Sequence, residues 1–250
     1  MGSPGFSAGG AEHTSLALHP TTGEPYVVYK DVHNSNKATM MTFSGGTWSP
    51  AGAPGFSDGT VDYTCLALHP TTGVPYVAYM DGSRSNKAAV MTFSGGTWSA
   101  VGSPGFSAGG AGNTRLALHP ATFAPYVAYQ DGGNSYKATV MTFNSGSWSD
   151  VSSPGFSASG AAFMSLALHP TTGEPYVAYR DDGNSFKATV MTLKGGSWSA
   201  VGPAGLSGGD AWFTSLALNR TTGVPYVAFQ DATTSPGNLS GSKATLMKFG

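Results

Sequence analysis

A period of fifty residues governs this chain. Tyr26, Tyr76, Tyr126, Tyr176 and Tyr226 stand at fifty-residue steps, and Trp48, Trp98, Trp148 and Trp198 keep the same spacing. The repeats run over 1–50, 51–100, 101–150, 151–200 and 201–250. Self-similarity at a fixed period means that one supersecondary unit is stacked on copies of itself. The fifth repeat carries six extra residues in "ATTSPGNLSGSK" and ends at Phe249-Gly250, before any Trp-containing segment.

Each repeat holds four short β-like runs, in the form "TSLALHP", "PYVAY", "KATVMTF" and "WSAVG". Gly, Pro, Asn and Ser clusters separate them, as strand boundaries require. None is long enough, or periodic in the right way, to be a helix. In "PYVAY", Tyr126 and Ala128 face one side while Val127 and Tyr129 face the other. Both sides are largely apolar, so such a sheet must be covered on both faces. A propeller blade packed between two neighbours meets that demand. A β-sandwich does not need the strict period, a β-helix has a shorter rung, and a solenoid needs polar end caps. The expected fold is all-β: a five-bladed propeller of four-stranded antiparallel blades, formed as a single domain over 1–250. "LALHP" is expected innermost and the Trp run outermost. The last blade then lacks its own outer strand and leaves an open edge near Lys243–Phe249, a pairing template that is expected to be covered by a partner or by further chain of a longer parent protein.

Composition narrows the function classes. Only 10% of residues are charged and the net charge is −1, which does not suit a chain built to neutralise nucleic-acid phosphates. No run approaches the ~18 apolar residues of a membrane-spanning helix. Cys65 is the single cysteine, so no disulfide forms within the chain. It stands where other repeats have Ser or Arg, and reads as a small buried apolar residue and not a nucleophile. The start "MGSPGFSAGG" lacks the pattern of a signal peptide, and Met1 reads as a start placed at a repeat boundary.

The run "PYVAYQDGGNSYKATVM", followed by "W", "VG" and "GFSAGGA", resembles repeats of secreted or cell-surface β-propeller proteins. In blade number and length the chain is similar to tachylectin-type five-bladed lectins. That likeness implies an extracellular location and amino-sugar binding between blades; it is one of fold and does not transfer function by itself.

Comparing the repeats with one another locates the variation. The turns "HPTTGEP" (19–25) and "FSGGTW" (43–48) barely change, whereas two other segments do. The stretch before the inner strand reads "AEHTS", "VDYTC", "AGNTR", "AAFMS" and "AWFTS". The loop after the second strand reads "KDVHNSN", "MDGSRSN", "QDGGNSY", "RDDGNSF" and the long fifth version. By connectivity both lie on one face, and a fixed scaffold with one varied face is how binding surfaces are commonly made. Tyr63, Phe163, Trp212, Phe213, Tyr136 and Phe186 supply aromatic rings there, with Arg84, Arg115, Arg180 and Lys30 nearby. Rings beside hydrogen-bonding groups suit sugars, which have apolar C–H faces and hydroxyl edges. Neutral drift of an unconstrained surface would also vary these loops.

Other constellations read as structural. Asp31, Asp81, Asp131, Asp181 and Asp231 are expected to accept loop amides, with Lys37, Lys87, Lys137, Lys187 and Lys243 pairing to them across the hairpin. "DDGNS" lacks the later Glu and the spacing of a calcium loop. His19, His69, His119 and His169 precede Pro at a tight turn and are expected to cap it, with Asn219 breaking the series. No metal and no cofactor is expected. A glycosidase needs two carboxylates in different environments, whereas most acids here recur by symmetry, so no catalysis is expected. Asn219 and Asn238 begin glycosylation sequons. The reading is a non-catalytic, extracellular propeller that binds glycans or matrix components. The alternative is a building block of an extracellular wall, sheath or fibre that self-assembles through the blade-five edge. A third, an idealised engineered propeller, is opposed by the unequal loops.

Overall fold

The computed structural model describes residues 2, 4–233 and 241–249. Blade one comprises β1 (Ala11–Leu18), β2 (Pro25–Asp31), β3 (Lys37–Ser44) and β4 (Thr47–Pro50). Blade two comprises β5 (Val61–Leu68), β6 (Pro75–Asp81), β7 (Lys87–Ser94) and β8 (Thr97–Ala100). Blade three follows with β9 (Ala111–Leu118), β10 (Pro125–Asp131), β11 (Lys137–Asn144) and β12 (Ser147–Asp150). Blade four has β13 (Ala161–Leu168), β14 (Pro175–Asp181), β15 (Lys187–Lys194) and β16 (Ser197–Ala200). Blade five has β17 (Ala211–Leu218), β18 (Pro225–Asp231) and β19 (Lys243–Lys248). Every sheet is an antiparallel meander in chain order, and among the described residues the fifth has three strands. Together they make a five-bladed β-propeller whose inner strands line a central channel.

The inner strand starts earlier than its apolar run suggests. Residues 11–13 and their copies, expected as loop, are strand, and the ladder slips just after them, between Glu12 and Ser15 in blade one. The slipped residue is left-handed in all five blades: His13, Tyr63, Asn113, Phe163 and Phe213 have φ between 50° and 55°. Such bulges re-aim a side chain. The His-Pro pair falls outside the strand, because His19 Nδ1 accepts hydrogen bonds from the amides of Thr21 and Thr22 at 3.3 Å. His69, His119 and His169 do the same, and the Asn219 carboxamide oxygen replaces them at 2.9 Å. The capping role therefore accounts for the His series and for the Asn219 oxygen that continues it. Asn238 lies outside the described residues.

Between blades the core is apolar and repeated. Val77, Tyr79, Ala89, Val28 and Met40 fill the first interface, and equivalent residues fill the next three. Burying a side chain of this kind contributes roughly 1.5–3 kcal/mol. On the rim, Phe56, Phe106 and Phe156 of the linkers stack on Trp98, Trp148 and Trp198 of the blades that follow, at 3.7–3.9 Å.

At the ends of the second strands Asp31, Asp81, Asp131 and Asp181 are buried, and Asp231 is half-buried. Asp31 accepts from the amide of His33 (3.1 Å), the Asn34 side chain (2.7 Å) and the Thr39 hydroxyl (2.7 Å). Among the described residues no ion pair joins these aspartates to the lysines opposite them. The expected cross-hairpin pair is replaced by bonds within the loop: Asp31, Asp131 and Asp181 engage both carboxylate oxygens there, whereas Asp81 uses Oδ1 and its buried Oδ2 has no partner among the described residues. Burial opposes ionisation of Asp31, but the bonds from Asn34, Thr39 and His33 outweigh it and hold the carboxyl below its ordinary 3.8. Asp231 is lowered in the same way, burial being outweighed by bonds from Thr233, Gly209 and Thr245. A depressed carboxyl contributes stability above its unfolded pKa and loses it as pH falls through the folded value. Urea unfolding is therefore expected to show falling stability below about pH 4, with a shallower fall in Asp31→Asn. An unchanged slope in that variant would remove Asp31 from the account.

One interface differs. Leu66, Leu116 and Leu216 are 6–8% exposed, but Leu16, in the same position of blade one, is 62% exposed. Leu246 is 68% exposed where Met40, Val90, Val140 and Val190 are buried. The inner strands pack in sequence from β1 through β5, β9 and β13 to β17, with no comparable packing between β17 and β1. The ring thus has a seam between its first and last blades.

Candidate functional site

The bulge brings the two variable segments together at each junction between blades. In register, residue pairs Glu12–Lys30, Asp62–Met80, Gly112–Gln130, Ala162–Arg180 and Trp212–Gln230 stand opposite one another within the five blades. Each second-strand member also faces the next blade. The chemistry of each junction follows from which pair it receives.

Charge fills the first junction. Lys30 Nζ lies 2.8 Å from Asp62 and 3.2 Å from Glu12, and His13 Nε2 lies 3.2 Å from Asp62. The Lys30 ammonium is held above its ordinary range, chiefly by its bond to Asp62. Asn113 bridges the third junction: its amide reaches Gln130 at 3.4 Å and its oxygen accepts from the Phe163 amide at 3.1 Å. The fourth is packed by a cation among rings. The Arg180 guanidinium sits 4.8 Å from the Trp212 ring centroid and 5.1 Å from those of Phe163 and Phe186. Phe213 packs on Phe163 at 4.9 Å, yet most of its surface is exposed.

The second junction is open. A cleft of about 410 Å³ is lined by Tyr63, Met80, Asn86, Gln130, Tyr136 and the glycines 110, 112 and 132. Gly112 is the reason. Its copies carry Glu12, Asp62, Ala162 and Trp212, and a Cβ here would come within 2.9 Å of Gln130 Oε1. With no side chain, the slot stays vacant. Met80 replaces the charged Lys30 and Arg180 of other blades, so no ion bridges the gap. The volume lies within the ~300–1,000 Å³ of small-molecule sites. Tyr136, at φ 60°, is largely exposed and forms one wall. The lining holds rings, a thioether and two carboxamides, and no charge.

The expected site residues therefore divide. Tyr63 and Tyr136 meet in the open cleft, while Phe163, Phe186, Trp212 and Arg180 meet at the fourth junction with Phe213 beside them. Arg84 lies apart and pairs with Asp58 at 3.3 Å. Arg115 joins neither cluster; it lines the central channel, together with His13 and Tyr63. Met80, Asn86, Gln130 and Gly112 are functional candidates that single-column reading missed. For Met80, Gln130 and Gly112 the signal was the paired variation of residues 12 and 30 with their copies; Asn86 belongs to the varied series Asn36, Asn86, Tyr136 and Phe186. Among the described residues no group of three or more His, Cys, Asp or Glu could hold a metal ion. Asp150 has a raised carboxyl, from burial first and the charge of Asp131 second. Asp131 is itself consumed by its loop, so the two do not form an acid–base pair open to substrate.

No family model matches the sequence, and no curated protein sequence does. Solved structures match the fold. The structure of AofleA from Arthrobotrys oligospora superposes with a TM-score of 0.64 at 13% identity, covering 95% of this chain and 68% of that one. A mutant of the Aleuria aurantia lectin in complex with Fucα1-6GlcNAc gives 0.64 at 13% identity, over 96% and 78%. A family-43 β-1,3-galactosidase with galactodeoxynojirimycin gives 0.52 at 12% identity, over 95% and 90%. At these identities the likeness is one of fold, shared by lectin and glycosidase propellers alike.

Proposed function

We propose that the protein is an extracellular, non-catalytic propeller that binds a neutral saccharide in the cleft between blades two and three. The observation that carries this reading is the cleft itself: two tyrosine rings and a methionine across from the carboxamides of Asn86 and Gln130. Rings accept the C–H face of a pyranose, and carboxamides offer both donors and acceptors to its hydroxyls. No carboxylate lines the cleft, so the acid and base of glycoside hydrolysis are missing from it. The lectin complex with Fucα1-6GlcNAc supports sugar binding on this architecture. A glycan array with the intact protein tests the proposal: binding to neutral glycans is expected, reduced by Tyr63→Ser and Tyr136→Ser. Silence across the array, or binding indifferent to both variants, would end it.

The seam favours a second activity, self-association. Leu16 and Leu246 present the two halves of the interface that is buried four times elsewhere. Because the halves lie on opposite ends of one chain, contact between copies is head-to-tail. Sedimentation analysis is expected to show mass rising with protein concentration, and Leu16→Glu to hold the protein monomeric. A wild-type protein that stays monomeric at high concentration would rule this out.

A further inference from the structure

The residue two places beyond each bulge faces the central channel. Ser15, Cys65, Arg115, Ser165 and Ser215 occupy this slot, and the channel they line encloses about 600 Å³. The slot has a structural task. Ser15 Oγ accepts from the Leu66 amide at 3.0 Å, Ser165 Oγ from the Leu216 amide at 3.0 Å, and Cys65 Sγ from the Leu116 amide at 3.3 Å. Each bond stitches one blade to the next. It also occupies a lone pair on the hydroxyl, leaving the O–H free to donate into the channel.

Arg115 cannot perform that task. A guanidinium has donors only, so blade three offers no side-chain acceptor to blade four at this slot. One of its nitrogens donates to the Thr114 carbonyl at 2.9 Å. None of the ion pairs among the described residues includes Arg115. Asp62, near the channel mouth, is already held by Lys30 and His13. The channel lining contains no carboxylate at all. A half-enclosed cation without a counter-charge, ringed by hydroxyl donors, is an incomplete electrostatic arrangement.

We infer that the central channel binds one small oxyanion, paired to the Arg115 guanidinium and hydrogen-bonded by the channel hydroxyls of Ser15, Ser165 and Ser215. The chemistry is that of a sulfate, a phosphate or a carboxylate, each of which matches the fork of an arginine. This site adjoins the neutral cleft between blades two and three, Tyr63 lining both, but its charged group, Arg115, lies in the channel alone, and neither proposal depends on the other.

Inorganic sulfate is the probe, titrated by calorimetry and by the side-chain Nε–H resonances of arginine, against chloride at equal ionic strength. One saturable site per chain is expected, with the Arg115 resonance moving. Arg115→Ser installs the residue that the slot carries in blades one, four and five, so the fold is expected to tolerate it. It should weaken sulfate binding at least about tenfold, and Arg115→Lys by less. Arg84→Ser, on the exposed surface, should leave it unchanged. Acetate and glucuronate then distinguish sources: tighter binding of glucuronate assigns the site to an acidic sugar, and equal binding to a free anion. Absence of saturable sulfate binding, or undiminished binding by Arg115→Ser, overturns the inference. If Arg115→Ser fails to fold, the resonance shift in the wild type and the Arg115→Lys affinity decide it. Gly112→Trp should leave sulfate binding intact, so failure of the cleft and failure of the channel are read separately.

Discussion

Gly112→Trp is expected to abolish saccharide binding in the cleft while leaving the protein folded. Blade five already carries tryptophan at this register position, as Trp212, opposite Gln230. The backbone of Gly112 does not have positive φ, and the nearest obstacle to a Cβ is the far end of the Gln130 side chain. The scaffold therefore has room to adapt. The indole would fill a cleft of about 410 Å³ and displace any ligand from both tyrosines. Affinity for the glycan identified on the array should fall at least about a hundredfold, equivalent to ~3 kcal/mol at 1.4 kcal/mol per factor of ten. Near-ultraviolet dichroism and thermal unfolding should stay close to the wild type. If a folded Gly112→Trp protein binds as before, the saccharide sits elsewhere on the molecule.

The largest effect on stability is expected from Asp181→Ala. Asp181 is buried, and its carboxylate accepts from the Gly183 amide (3.1 Å), the Asn184 side chain (2.7 Å) and the Thr189 hydroxyl (2.9 Å). Thr189 Oγ1 in turn accepts from the Gly205 amide at 2.9 Å, tying the loop to the linker that leads into blade five. Alanine leaves several buried donors without a partner, each costing roughly 1–3 kcal/mol. Urea unfolding should register a loss of about 3 kcal/mol or more. For a chain of this size that lowers Tm by about 6–12 °C. Asp181→Asn keeps one acceptor oxygen and should lose less. A loss below about 1 kcal/mol in the alanine variant would show that water replaces the carboxylate.

How the fold was legible, and the site only partly, follows from particular residues. Tyr79, Tyr129 and Tyr179 repeat at fifty residues because each blade must bury the same faces against its neighbours. Period and alternation are local properties of a strand, so they are readable along the chain. The capping role of His19 and its copies is equally local, since the partners lie two and three residues away. Lys30 and Asp62 are 32 residues apart, and Arg180 and Trp212 belong to different blades. Which residue of one blade meets which residue of the next depends on the rotation between sheets and on the bulge. Neither has a signature in the variable columns taken singly. Arg115 makes the point most sharply: it looks like a member of the varied face, yet the bulge two residues earlier turns it into the channel.

By itself the sequence determined a ring of like sheets, their strand order, the shared turns and the face that varies, because each is dictated by short-range patterning repeated five times. Only the tertiary structure decided that the second junction is open while the first, third and fourth are filled, that the first and last blades expose matching halves of a buried interface, and that Arg115 stands in the channel without an acidic partner among the described residues. Those outcomes are set by side chains from separate blades converging through space, where a missing Cβ at Gly112 counts for as much as any residue present.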